Sequence, residues 1–167
     1  GLGDVDVTCT YSYIVKDGKN VYDGPVTMTG GFGTYNNVSY KRWYTISGSE
    51  SYTLTANNSE GFLNGPVSMK YSASAHATNG DRSVKSVSYS GNFAKGIPHG
   101  HFILDAKGDY MPDAYIAVTY HNGVFTGPFS FKFHEHEQTD VTGSFTNDGK
   151  LNGKWTMIFS ISLLKLP

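Results

Sequence analysis

The sequence predicts an all-β protein, an antiparallel meander of about ten strands from roughly five β-hairpin repeats, forming one extended twisted or curled sheet. Three observations carry this reading. Twelve Tyr, ten Phe and two Trp stand beside 20 Gly in 167 residues, a composition suited to pleated surfaces joined by tight turns. Long runs of Ala, Leu, Glu and Lys at helical spacing are absent. A short segment recurs five times along the chain.

The recurring segments are Val21–Met28, Phe62–Met69, Ile97–Leu104, Val124–Phe131 and Lys150–Met157. Each has Gly at its fourth place: Gly24, Gly65, Gly100, Gly127 and Gly153. The sixth and eighth places are large and apolar throughout, from Val26 and Met28 to Trp155 and Met157. Between them stand Thr27, Ser68, Ile103, Ser130 and Thr156. Such alternation marks a strand with one buried face.

The turn precedes each strand. Gly61, Gly96, Gly123 and Gly149 sit four places before the repeat glycine, and Gly18 six before the first. Two glycines bracketing three residues predict a turn that needs positive φ. Pro25, Pro66 and Pro128 follow, as the first residue of a strand permits. The incoming strands alternate as well: Val87, Tyr89, Gly91 and Phe93 in one, Val141, Gly143 and Phe145 in another. Glycine costs strand propensity there, so it marks close packing or an aromatic ring lying across it. The later repeats are regular, and the earlier ones carry insertions around 33–60 and 71–86.

Tyr89-Ser-Gly91-Asn-Phe93-Ala-Lys-Gly96-Ile-Pro-His99-Gly100 resembles the MORN repeat, Tyr-x-Gly-x-Phe/Trp-x-x-Gly-x-x-His-Gly. The other units keep mainly the paired glycines, and Asp23, Asn64, Thr126 and Asn152 stand where His99 fills the histidine place. The chain is thus MORN-like over roughly residues 10–160, with lengthened units, one domain spanning 1–167. The resemblance implies an extended sheet of stacked hairpins that serves as an interaction platform.

A single sheet buries one face and leaves unpaired edges. Curling, the two insertions or a second subunit would cover the apolar face that carries Phe129, Phe131, Trp155 and Met157. Ile158–Pro167 is a candidate cap or last strand. A homodimer is one expected form.

Bulk properties narrow the partners. Net charge is −1, so nothing electrostatic points to nucleic acid or an anionic membrane. No apolar run has the ~20 residues of a spanning helix. Cys9 is the single cysteine, which precludes an internal disulfide and reads as a strand residue. A chain beginning at Gly1 reads as processed or truncated, and Ser, Thr, Asn, Gly and Tyr richness suggests an exported bacterial protein.

Candidate sites are few. His134 and His136 point to one side of a strand, where His121 from a neighbouring strand would complete a zinc triad. A solvated strand end accounts for the same pattern, and no cofactor is predicted. His99 is expected to be structural, stacking on a ring or binding a backbone carbonyl. Trp43 and Tyr44, with Tyr35, Tyr71, Tyr110, Tyr115 and Tyr120, form either a sugar-stacking platform or cross-strand pairs. No nucleophile elbow or phosphate loop occurs. The expectation is a non-catalytic binding or scaffolding protein, with carbohydrate binding as the alternative and a metal-dependent enzyme third. Trp43, Tyr44, His121, His134 and His136 are the residues nominated for binding, and another protein or a polysaccharide is the expected partner.

Overall fold

Each repeat folds as a hairpin because it holds two separate kinds of positive-φ position. The computed structural model describes residues 5–32, 34–40, 44–109, 111–134 and 137–161. Within them, β1 (Val5–Lys16), β2 (Lys19–Phe32), β3 (Thr34–Tyr40), β4 (Tyr44–Ser59), β5 (Phe62–Leu63), β6 (Gly65–Ala77) and β7 (Arg82–Ala94) form the first half. The second half comprises β8 (Ile97–Pro98), β9 (Gly100–Gly108), β10 (Asp113–His121), β11 (Val124–Phe125), β12 (Gly127–His134), β13 (Glu137–Phe145) and β14 (Thr156–Ile161). All belong to one open antiparallel sheet in the order β1-β2-β4-β6-β7-β9-β10-β12-β13-β14.

The first kind of position closes the turn. Asp17-Gly18, Glu60-Gly61, Lys95-Gly96 and Asn122-Gly123 each place two consecutive residues at positive φ, as a two-residue type I′ hairpin demands. The second kind is the repeat glycine, with φ between 65 and 93° at Gly24, Gly65, Gly100, Gly127 and Gly153. There the outgoing strand bulges, and three of its residues oppose one on the incoming strand. Tyr13 pairs Tyr22, but Tyr11 pairs Val26, so Asp23-Gly24-Pro25 face Ser12. The same two-residue advance separates Asn58↔Leu63 from Thr55↔Ser68, and Phe93↔Pro98 from Ser90↔Ile103. The two glycines therefore do different work, where the sequence reading gave them one shared turn.

The bulges let successive turns rest on one another. Gly61 N donates to Tyr22 O (2.7 Å), Gly96 N to Leu63 O (2.7 Å) and Gly123 N to Pro98 O (2.9 Å). Val21, Phe62, Ile97 and Val124 each lie against the glycine of the following turn.

Alternation then segregates the two faces. The ladder aligns Thr10, Thr27, Thr55, Ser68, Ser90, Ile103, Ala117, Ser130, Thr142 and Thr156 in one row across ten strands. Hydroxyls on this face bond across strands, Thr55 to Ser68 at 2.7 Å and Ser51 to Ser72 at 2.9 Å. The opposite, apolar face carries a run of rings: Tyr89 and Phe93 on Phe102, then Tyr120, Phe125, Phe145, Phe129 and Phe131, centroids 4.6–6.0 Å apart. Phe102 and Phe129 are 7% and 8% exposed and form, with Ala106, the core. Their rings lie against Gly91 and Gly143, as the strand glycines imply.

Among the described residues the insertions do not cover this face. Both lengthen strands within the sheet, giving β4 16 residues and β6 and β7 13 each, while β3 continues the row of β2 along β4. Ladder hydrogen bonds within the plane satisfy their backbone, which a strand folded across the face would have to find elsewhere. Residues 158–161 complete the last strand, and 162–167 lie outside the described residues.

Gly91→Ala is expected to cost about 3 kcal/mol in urea denaturation, because its methyl would occupy the Phe102 ring. Gly65→Ala, with open space at that position, should cost only the left-handed backbone penalty of about 1–2 kcal/mol. Adding Phe102→Leu should recover part of the Gly91→Ala loss and none of the Gly65→Ala loss.

Candidate functional site

The nominated residues do not converge. Trp43 and His136 lie outside the described residues, as does the side chain of Tyr44, whose backbone, in β4, pairs with Tyr40 of β3. His121 ends β10 beside a turn, whereas His134 pairs with Asp113 at the other end of that strand. Eight residues of strand separate them, roughly 26 Å, so His121 cannot share a metal with His134. Among the described residues no three His, Cys, Asp or Glu side chains group as metal ligands.

His99, His121 and His134 have local roles instead. His99 packs tilted against His121, with ring centroids 5.2 Å apart and planes at 50°. Its Nδ1 accepts from Asn122 N at 3.4 Å, so it binds a backbone donor and not the carbonyl expected of it. The residues at the same place of other repeats act alike: Asp23 accepts from Glu60 N (2.9 Å) and Asn64 from Lys95 N (3.2 Å). Thr126 instead donates its hydroxyl to Asn147 (3.0 Å). A sequence reading that searched for histidine missed this shared duty. The signal was present, because every residue at that place carries a side-chain acceptor.

Two surfaces remain that a ligand would reach. The first lies on the hydroxyl face, where hollows of about 300 and 280 Å³ meet at Tyr115. Tyr115 pairs with Asp105 on one side and Lys132 on the other. Ala117 lowers the floor beside it, between Ile103 and Ser130. At the rim His134 Nε2 donates to Asp140 (2.7 Å), which also accepts from Gln138 (3.0 Å). These bonds, Gln138 first, hold the Asp140 carboxyl below its ordinary value.

The second surface is the apolar face. Its centre is closed by its own rings, and there burial, with Tyr120 adding, pushes the Tyr89 hydroxyl above its ordinary value. Its two ends stay open. Tyr11, Tyr13 and Tyr22 at the β1–β2 end, and Trp155 just before β14 with Met157 and Phe159 on it, are each more than half exposed. Tyr11 meets Tyr22 edge-on at 5.4 Å, and with Tyr13 and Asn20 they line a groove of about 190 Å³. Among the described side chains of the strands, Glu50 and Lys85 are the charged groups on this face; the others point to the hydroxyl face or the turn edge. Of the tyrosines nominated from sequence, Tyr71 pairs directly with Tyr52, and Tyr120 packs on Phe102 and Phe125. Both therefore serve as cross-strand partners, while Tyr115 stands on the hydroxyl face.

No protein-family model, curated protein or solved structure matches this chain.

A carboxyl lowered in the native state adds stability above its unfolded value of about 3.9, and that stability is lost as pH falls through the native value. Asp140→Asn should therefore flatten the acid limb of the stability curve within that window, measured by urea denaturation in steps of pH. Carbon-detected NMR titration of the parent should place the Asp140 midpoint below the ordinary carboxylate range.

Proposed function

We propose that the chain is a non-catalytic binding protein whose sheet is an interaction platform, in line with the MORN-like unit at Tyr89–Gly100. The apolar face carries this reading. It spans ten strands with a solvent-open aromatic area at each end, and a soluble monomer rarely leaves so large a patch bare. A single layer supplies breadth and few enclosed hollows, the geometry for holding a macromolecule and not for sequestering a small substrate.

A random-peptide display selection on sparsely coupled protein tests it. Aromatic-rich peptides should be recovered that lose at least ~10-fold in affinity on Trp155→Glu and keep it on Ser88→Glu, on the other face. Peptides insensitive to Trp155→Glu would remove the apolar face from the reading.

Carbohydrate binding is the second reading, and the Tyr115 hollows favour it. A ring flanked by Asp105, Lys107, Lys132 and Thr119 offers a stacking surface beside hydrogen-bonding groups. An exported location would suit either role. On a glycan array, binding that Tyr115→Ala abolishes would support this site, and an array without binding would end it.

A further inference from the structure

Resting on the platform reading, we infer that the occupant of the apolar face is a second copy of this chain. The two sheets stack face to face, with the β1–β2 end of each over the β13–β14 end of the other.

Surface area is the first argument. A folded monomer of 18.2 kDa should expose roughly 8,100 Å². This chain exposes 11733 Å², an excess of roughly 3,600 Å² over that scaling. Homodimer interfaces bury about 2,000–5,000 Å² over both partners, so each chain has more than enough to give.

Polarity is the second. Glu50 and Lys85, the described charges on this face, are opposite in sign, so self-stacking is not opposed by like charge. Charges on the hydroxyl face stay in water. Stacked sheets lie about 10 Å apart with their strands aligned, which fits two layers of Val, Met, Leu, Phe and Tyr side chains.

The two open ends are the third. A two-fold axis between the sheets and parallel to the strands makes the contact self-complementary. It sets Tyr11 of each copy level with Trp155 of the other, Cys9 with Met157 and Val7 with Phe159. The Tyr11 hydroxyl then has the indole N–H of Trp155 within reach as a donor. Both hydroxyl faces point outward, so a dimer carries two Tyr115 hollows.

Adjacent residues of β14 test the inference. Met157 lies on the apolar face, paired with Val141, and Ile158 on the other, paired with Asp140. Light scattering after size exclusion should give twice 18.2 kDa for the parent and for Ile158→Glu. Met157→Glu should weaken the dimer by at least ~30-fold while keeping its β-sheet circular dichroism. Cys9 shares the apolar face, paired with Met28, and Met157→Cys should let it form an intermolecular disulfide across the interface. Cys9–Cys9 crosslinking in the parent would overturn the end-over-end arrangement.

Anilinonaphthalenesulfonate fluorescence separates the remaining failures. A monomeric parent that binds the dye has a free apolar face, which overturns the dimer and leaves the platform reading standing. A monomeric parent that does not bind it has closed the face internally, and both readings fall.

Discussion

The fold depends on one backbone constraint, the positive φ of the repeat glycine. At Gly65 the chain leaves the β geometry for one residue, so Asn64, Gly65 and Pro66 together oppose Asn57. An L side chain at that φ would press its Cβ on the neighbouring carbonyl. Without the bulge the hairpin would run straight, and its outgoing strand would meet the next repeat in another register. With it, Leu63 O is free to receive Gly96 N, and the side chain of Asn64 reaches Lys95 N. One turn thereby becomes the seat of the next. The neighbouring repeats use Asp23 and His99 in the same way, so the contact tolerates several side chains as long as an acceptor is present.

Stacking of turns fixes the register, and the register fixes the faces. Because side chains alternate with a period of two, a slip by one residue would send Phe102 to the hydroxyl face and Ser90 to the apolar one. The row from Thr10 to Thr156 crosses ten strands, so five bulges advance together. The apolar face is then packed from within as far as a single layer allows. Phe102 and Phe129 achieve their burial by lying on the bare backbone of Gly91 and Gly143. At the two ends Tyr13 and Trp155 remain open.

Much of this was legible in the sequence, for a physical reason. Turn glycines, the alternating sixth to eighth places and the strand glycines are local demands of backbone and pleat, and local demands leave local residues. The ten-strand meander followed from them. What escaped depends on neighbours distant in sequence. Asp23 and His99 share a duty only because each meets a different turn. His121 and His134 looked like partners because their strands are adjacent, yet the ladder sets them at opposite strand ends. Whether an insertion covers the sheet or lengthens it was equally hidden, since Ser72–His76 alternates as readily in the plane as across it. Ladder pairing with Arg82–Ser86 decides the matter.

The two faces answer to separate constraints. Every hydroxyl-face position lies between two apolar-face positions of the same strand, so either face can change without moving the other's backbone. Tyr115 sits between Ala114 and Ile116, which belong to the opposite surface. Changes at Tyr115, Lys132 or His134 would alter the hydroxyl face and leave the aromatic run from Tyr89 to Phe131 intact. A sheet of this design keeps its fold in the glycines, its apolar face in the even places of the repeat, and its hydroxyl face in the residues between them. The seventh place shows the freedom this allows: Thr27, Ser68 and Thr156 give way to Ile103 in one repeat, and the ladder passes through it unbroken.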